Sequence, residues 1–372
     1  MKTDLLHYTF AEISLSAIDH NIKEIKKLLP AATKFMAVVK ANAYGHGSVE
    51  VSKQALQSGA DILAVASVKE ALELREAGID APILVLSETS PELVDYVIDN
   101  DLTQTVYTQK LAKLLSQAAE IKGKKVKVHV KVDTGMGRVG VAPPDAINLI
   151  KSLSELPGLE LEGIFTHFAV AEEKNGFTDQ QLERFNLVTS ELKKAGITIP
   201  ILHAANSAAT LFHKKTYLNM ARVGLLMYGL KPNGNQDLPL KLKPALAFKS
   251  KVLYLKKVSK GTPLSYGCTY TTPDETQIAT IPVGYADGYS RSLSNKGMVL
   301  INGKRYPVVG RVCMDLTLVN VFADEIKLED EVVLIGKQGN EEISASELAD
   351  LENTINYEIV CSIGKRVPRI YV

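Results

Sequence analysis

Lys40 ends the apolar run Met36-Ala-Val-Val and precedes Ala41-Asn-Ala-Tyr44-Gly45-His-Gly47. An amine held in a dry site, with its pKa lowered, forms an imine with a carbonyl compound. A lysine reaching solvent at a strand end is the plain alternative. The Gly-x-Gly that follows would open the next helix and let backbone approach a ligand. A second set lies in VKVHVKVD, residues 126–133, where Lys127, His129, Lys131 and Asp133 alternate onto one face. On an edge strand that face is solvated; on an interior strand each charge needs a partner. Lys131 then requires an anion, yet its neighbour in sequence is the cation Arg138. Arg138 sits inside Gly135-Met-Gly137-Arg-Val-Gly140, which satisfies the dinucleotide-binding pattern G-x-G-x-x-G. That reading is weak, because the run is not on the first strand–helix unit and the next helix starts only at Pro143-Pro144. The planar fork of Arg138 suits a carboxylate better. His167, Asn206 with Ser207, and Arg222 to Leu225 complete the set, Ser207 being expected at a helix N-cap.

The elements that must position these groups alternate between short β-branched runs and amphipathic segments. Strands are predicted at residues 35–40, 62–66, 82–86, 103–107, 126–133, 159–166, 201–205 and 221–225. Helical periodicity fills the intervals, as at 68–77, 109–121 and 180–195, with Gly59, Gly78, Gly123 and Gly196 at helix ends. Eight strand–helix units over this length are those of an α/β fold of the (β/α)8 TIM-type barrel, with a doubly wound open sheet as the alternative. In a barrel the residues singled out above fall at the C-terminal ends of strands, where function resides. Loops after the seventh and eighth strands are that fold's usual phosphate site, so Ser207 and Gly224 suggest a phosphorylated cofactor.

The alternation stops in a Pro- and Gly-bearing linker at 231–244. Beyond it, strands are predicted at 252–255, 277–282, 298–301, 306–309, 316–321 and 332–335, with Asn302-Gly303 as a hairpin turn. The organisation is a barrel over 12–235 and a C-terminal all-β domain over 240–372, which a strand at about 6–15 would join. That second domain carries Leu264-Ser-Tyr266-Gly267, Gly284-Tyr285-Ala-Asp287 and Gly310-Arg-Val-Cys313-Met314-Asp315. Tyrosines beside glycines are common structural turns. A buried tyrosine near cations could also ionise and act as a base, despite a normal pKa of ~10.

Composition excludes several classes. Over 372 residues, 43 basic and 42 acidic side chains leave a formal charge of +1, unlike a polybasic nucleic-acid binder. No apolar run approaches the ~20 residues of a membrane helix, and the first residues do not read as a secretory signal. Three scattered cysteines do not make a disulfide framework or a thiolate zinc site, and the histidines show no metal-binding spacing. A cytoplasmic protein with no metal is expected.

AVVKANAYGHG, KVDTGMGRVG, FTHFA, HAANSAAT, ARVGLLMYG, LSYG, GYADGYSR and GRVCMD, in this order along the whole chain, closely resemble the alanine racemases. These are pyridoxal 5′-phosphate enzymes built as a barrel plus a β domain. The resemblance implies an isomerase that interconverts L- and D-alanine and supplies D-alanine for peptidoglycan of the cell wall. It implies that Lys40 carries the cofactor as an aldimine and is one base, and that Tyr266 is the other base on the opposite face. Racemisation needs that pair, one group removing the α-proton and another returning it. By the same resemblance Arg222 meets the pyridine nitrogen, and His167 adjoins the ring. Tyr44, Asn206, Ser207, Gly224, Leu225 and Tyr357 hold the phosphate end. Arg138 and the Met314 backbone bind the substrate carboxylate beside Tyr285, while His203, Cys313 and Asp315 support the site. The three tyrosines at positions 266, 285 and 357 would leave a methyl-sized pocket. Lys131 matches a lysine that is often carbamylated, which would supply the missing anion beside Arg138. The site is expected to be shared between the two subunits of a homodimer. Other readings are a related decarboxylase of basic amino acids, which would not need Arg138 to grip a carboxylate; a lone-barrel pyridoxal phosphate carrier, which would lack Tyr266; and a dehydrogenase.

Overall fold

The computed structural model describes residues 8–232 and 239–372. Part of the expected linker, 233–238, and the start of the strand expected at about 6–15 lie outside the described residues. The chain divides into two compact units, one of residues 18–43 and 48–242, the other of residues 1–17, 44–47 and 243–372.

After an opening strand β1 (Phe10–Ile13), the first unit builds a closed parallel barrel. Its strands are β2 (Lys34–Val38), β3 (Ile62–Val65), β4 (Ile83–Val85), β5 (Thr103–Val106), β6 (Val126–Lys131), β7 (Leu159–Phe165), β8 (Ile201–His203) and β9 (Met220–Val223). Closure is the pairing of β9 with β2, which sets Arg222 opposite Met36. The open sheet is thereby excluded, and the expected barrel is the one found. Strands β3, β4 and β5 are buried at every residue, because helices cover the outside and side chains fill the inside. Each fully buried Val, Leu or Ile contributes about 1.5–3 kcal/mol.

Helix ends follow local chemistry. Ser67 caps Val68–Glu76 and Thr108 caps Gln109–Ile121, each accepting a backbone N–H through its side-chain oxygen. Pro143 starts the helix Pro143–Ser154. The long helix expected from residue 180 begins a turn earlier, as Phe177–Lys194. Gly59, Gly78, Gly123 and Gly196 all have left-handed φ. Among the described residues no helix is long and apolar enough to cross a membrane.

The second unit holds β10 (Leu246–Lys251), β11 (Tyr254–Val258), β12 (Pro263–Leu264), β13 (Tyr270–Thr271), β14 (Thr276–Ile281), β15 (Met298–Ile301), β16 (Lys304–Pro307), β17 (Thr317–Phe322), β18 (Glu331–Gln338), β19 (Glu341–Ile343) and β20 (Arg369–Tyr371). The larger sheet runs β16-β15-β18-β10-β1-β20, with β19 on β18; β11-β14-β17 form a second and β12-β13 a third. β1 is antiparallel to β10 and parallel to β20. The strand expected at 252–255 falls on a break between β10 and β11. There Val252 N–H binds Asp330 O while Leu253 N–H binds Thr280 O, so the chain steps from one sheet to another. The strand expected at 306–309 is likewise split, since Val308 and Val309 leave β16 to pair with β17. Two short helices, Ala345–Glu352 and Asn356–Cys361, lie among these strands.

Candidate active site

Lys40 follows the end of β2. The backbone then does something rare for non-glycine residues: Ala41, Asn42, Ala43 and Tyr44 have φ of 54°, 54°, 52° and 53°. This is a left-handed turn, and each such residue costs roughly 1–2 kcal/mol relative to the right-handed form. Ala43 N–H still reaches Val39 O at 2.9 Å, and Asn42 Oδ1 accepts Ser48 N–H at 2.9 Å where the helix Ser48–Gln57 begins.

Arg222 on β9 is buried, 4% exposed. Burial pushes its guanidinium down to about 9, still protonated at neutral pH. Nη1 donates to His203 Nδ1 at 3.1 Å, and Nη2 to Thr166 O at 2.7 Å and Ala204 O at 3.1 Å, with His167 Nδ1 at 3.3 Å. Two of the five donors of an arginine, Nε–H and one on Nη1, remain for a ligand. From His203 a line of contacts continues away from Arg222. His203 Nε2 meets His129 Nδ1 at 2.8 Å, and His129 Nε2 meets Glu162 Oε2 at 3.0 Å. Arginine can only donate and a carboxylate can only accept. Both imidazoles must therefore carry their proton on Nε2, and every donor points from Arg222 toward Glu162. Phe165 stacks on His203, with Arg222 and Lys131 within 5.1 and 5.7 Å of its ring centre.

Lys131 is 5% exposed. Burial, followed by the charges of Arg138 and Arg222, lowers its pKa to about 8, against an opposing pull from Asp133. Among the described residues no carboxylate lies within ion-pair distance of its amine. The described side chains thus supply no ion-paired anion there, and Asp133, two residues on, turns one oxygen to its own loop. Its Oδ1 accepts Gly135 N–H at 3.0 Å and Gly137 N–H at 3.1 Å. Those bonds hold the Asp133 carboxyl below its ordinary value despite the opposing effect of burial. The glycine run 135–140 is thus a turn wrapped on Asp133, leaving Arg138 exposed at its tip. His167, at the rim, is pushed well below the usual histidine range by burial and then by Arg222, Arg138, Lys131 and Lys40.

After β8 the N-cap is Asn206, whose Oδ1 accepts Ala209 N–H at 2.9 Å; Ser207 is the first residue of the helix Ser207–Phe212. The cap expected at Ser207 is thus one residue early, since Asn206 is equally suited to capping. The Ser207 hydroxyl accepts Gly224 N–H at 3.1 Å and so ties two helix starts together, its own and the 3-10 turn Leu225–Tyr228. First-turn N–H groups have no intrahelical partner and suit an anion.

In the second unit, Tyr44 and Tyr357 pack with ring centres 6.1 Å apart. Burial, then Tyr357 and Cys361, push the Tyr44 phenol up, keeping it a neutral donor. Tyr266 sits on a strained turn: Ser265 has φ 61°, and its hydroxyl donates to Arg311 O at 2.7 Å beside Cys313 Sγ at 3.6 Å. Tyr285 N–H binds Cys313 O and Ala286 N–H binds Met314 O, at 3.0 and 3.1 Å. This approach requires glycine at 284, where a Cβ would overlap the carbonyls of Cys313 and Met314. Arg366 bridges Asp287 and Asp315 at 2.7 Å each. Tyr266, Tyr285 and Met314 are 72%, 43% and 53% exposed.

Sequence reasoning missed two supports. Gln181, fully buried, accepts Ala169 N–H at 2.9 Å and donates to His167 O at 3.1 Å and Thr134 Oγ1 at 3.4 Å. It thereby fastens the loops bearing His167 and Arg138 to the helix Phe177–Lys194. Glu162, the end of the imidazole line, is the other. A polar residue on an apolar helix face was the only signal for the first, and the alternation of Glu160 and Glu162 with apolar residues in Leu159–Phe165 for the second. Among the described residues no group of three or more His, Cys, Asp or Glu is placed to hold a metal.

Residues 13–232 match the family model "Alanine racemase, N-terminal domain", and 245–371 match "Alanine racemase, C-terminal domain". The chain belongs to the alanine racemase family. An alanine racemase of Desulforamulus reducens is 48% identical over 98% of both chains. One of Methanococcus maripaludis is 48% identical over 98% of this chain and 99% of its own. The crystal structure of alanine racemase from Bacillus anthracis with bound L-Ala-P superposes with a TM-score of 0.94, at 44% identity over 98% of this chain and 95% of that one. Racemisation of an amino acid makes the chain an isomerase.

His129, His167 and His203 are all held below the ordinary histidine pKa, burial being the largest cause in each. The unfolded chain takes up protons near pH 6.5 that the folded chain refuses. Stability should thus fall as pH drops below about 6.5, by up to about 1.4 kcal/mol per pH unit for each histidine. Urea midpoints measured from pH 7 to pH 5 should decline, with proton uptake on unfolding; a flat midpoint would mean that the folded chain protonates them.

Proposed function

We propose that the chain interconverts L- and D-alanine with pyridoxal 5′-phosphate, using Lys40 and Tyr266 as its two bases. The observation that carries this reading is the gathering of Lys40, Lys131, Arg138 and Arg222 around His167. With the tied helix starts at Ser207 and Leu225, that is a surface for one phosphate and one carboxylate. The residues present fit the cofactor: Arg222 has donors to spare, and Lys131 lacks an anion.

When bound, the pyridoxal ring supplies an electron sink that makes the α-proton of an amino acid removable. Lys40 anchors it. Arg222, locked as a donor, offers an N–H to the ring nitrogen and leaves it unprotonated, which limits competing transamination. His203 steadies Arg222, and His167 flanks the ring. Ser207, Gly224 and Leu225 hold the phosphate, with Asn206 shaping the helix start and Tyr44 and Tyr357 donating hydroxyls. Arg138 and the Met314 N–H orient the substrate carboxylate beside Tyr285, while Cys313 and Asp315 steady the turns around Tyr266 and Met314. Lys40 moves the α-proton on one face and Tyr266 on the other.

The exposure of Tyr266 in the single chain supports its delivery to a second copy, so the working form is a homodimer with a shared site. The product D-alanine would feed peptidoglycan synthesis in the cytoplasm. Lys131 is proposed to be carbamylated: its lowered pKa leaves about a tenth of the amine neutral at pH 7. That amine adds to carbon dioxide, forming an N–C bond and releasing a proton, and places an anion toward Arg138.

The purified protein should absorb near ~420 nm through its cofactor–lysine bond, and borohydride or Lys40→Ala should abolish the band. Chiral analysis of product from L-alanine should find D-alanine; an amine product instead would mean decarboxylation. Inactive Lys40→Ala and Tyr266→Phe chains, mixed under confirmed subunit exchange, should regain part of the activity, and no recovery would count against a shared site. Native-condition mass measurement should find one carbon dioxide on Lys131, lost on acidification; a bare amine removes the carbamate.

A further inference from the structure

The left-handed turn after Lys40 is strained, and such backbone persists only where its surroundings over-determine it. One side chain outside the turn reaches it in an unexpected way. Glu70 lies three residues after Ser67, the N-cap of Val68–Glu76. In that position a glutamate ordinarily folds back onto the N–H of its own cap residue. Here the carboxylate leaves its helix. Oε1 accepts Ala41 N–H at 2.8 Å, and Oε2 accepts Ala66 N–H at 2.7 Å.

Ala41 opens the left-handed turn and directly follows Lys40; Ala66 directly follows β3. The two strand ends are already neighbours, Val39 N–H binding Ala64 O at 2.9 Å. One carboxylate therefore pins the first residue of the turn to the end of the adjacent strand. We propose that Glu70 is the positioning residue of Lys40, fixing through Ala41 the direction in which the amine leaves the strand. The proposal rests on reading Lys40 as the lysine that bonds the cofactor. In that step the amine nitrogen bonds the aldehyde carbon as C=N, and the aldehyde oxygen leaves as water with both amine hydrogens.

Each N–H is met by a different carboxylate oxygen. In glutamine one of those two positions is an NH2 that would face a backbone N–H, so Glu70→Gln keeps the size of the side chain and loses the clamp. Apoprotein of the native chain, Glu70→Gln and Glu70→Ala would be given two probes. Pyridoxine 5′-phosphate, an alcohol in place of the aldehyde, tests ring and phosphate binding without a bond to Lys40. Pyridoxal 5′-phosphate reports bond formation by growth of absorbance near ~420 nm. Both variants should bind the alcohol within about twofold of the native affinity. Their absorbance should grow about tenfold or more slowly, the scale of a misplaced reacting atom. Native-rate growth in both variants would overturn the proposal. Loss of alcohol binding in parallel with the rate would also overturn it, making Glu70 a general support of the fold. A ~420 nm band that persists in Lys40→Ala would instead overturn the reading of Lys40 on which the proposal stands.

Discussion

Positive charge without its own anion is the constraint around which the barrel mouth is built. A buried guanidinium or ammonium is costly unless paired, yet among the described residues Arg222 meets imidazoles, carbonyls and the Phe165 ring rather than a carboxylate. Lys131, also buried, faces further cations. Asp133 is close enough to be felt, but it forms no ion pair with Lys131, and its Oδ1 accepts the loop's own N–H groups. Glu162 is two rings away from Arg222. An anionic ligand would relieve this imbalance and would therefore bind the folded chain in preference to the unfolded one. Under the proposed function, fold and ligand are coupled through electrostatics before any reaction is considered.

The imidazole line makes the same point from the other side. Because its two ends are an obligate donor and an obligate acceptor, neither histidine is free to choose its tautomer. Burial keeps both rings neutral, so the positive charge stays on Arg222 and the negative charge on Glu162. A direct carboxylate partner would have occupied the donors that Arg222 retains. Two neutral rings between the charges support the cation while leaving those donors unspent.

The barrel was legible because its strands are short apolar runs broken by residues of another kind. Lys40, His167, Ser207 and Gly224 drew notice in that way, as polar or glycine residues at or just beyond strand ends. Legibility failed where neighbours were chemically equivalent, as with Asn206 and Ser207, or where one extended run serves two sheets, as at Val252–Leu253 and at Val308. The short helices that follow β19 carry too few apolar turns to announce themselves, although Tyr357 rides on one. Glu70, Gln181 and Glu162 escaped notice for a different reason. Each has a partner well removed in sequence, Ala41, Thr134 and His129, and no spacing rule encodes such a partner.

The run from Lys40 to Gly47 is diagnostic because most of its letters answer to backbone rather than to chemistry. Ala, Asn and Ala occupy left-handed positions where a bulky or β-branched side chain would add strain. Asn42 also turns its amide oxygen to the next helix start. A Cβ on Gly45 would overlap the Val360 carbonyl, and one on Gly47 would overlap the Tyr371 hydroxyl. His46 is buried, its Nδ1 at 2.9 Å from Tyr44 O. In the proposed function only Lys40 and Tyr44 of this run use their functional groups on a ligand. Left-handed backbone, an amide oxygen turned to the next helix start and two close approaches at glycine account for the others, so most of the motif answers to the course of the backbone after Lys40 rather than to reactive groups.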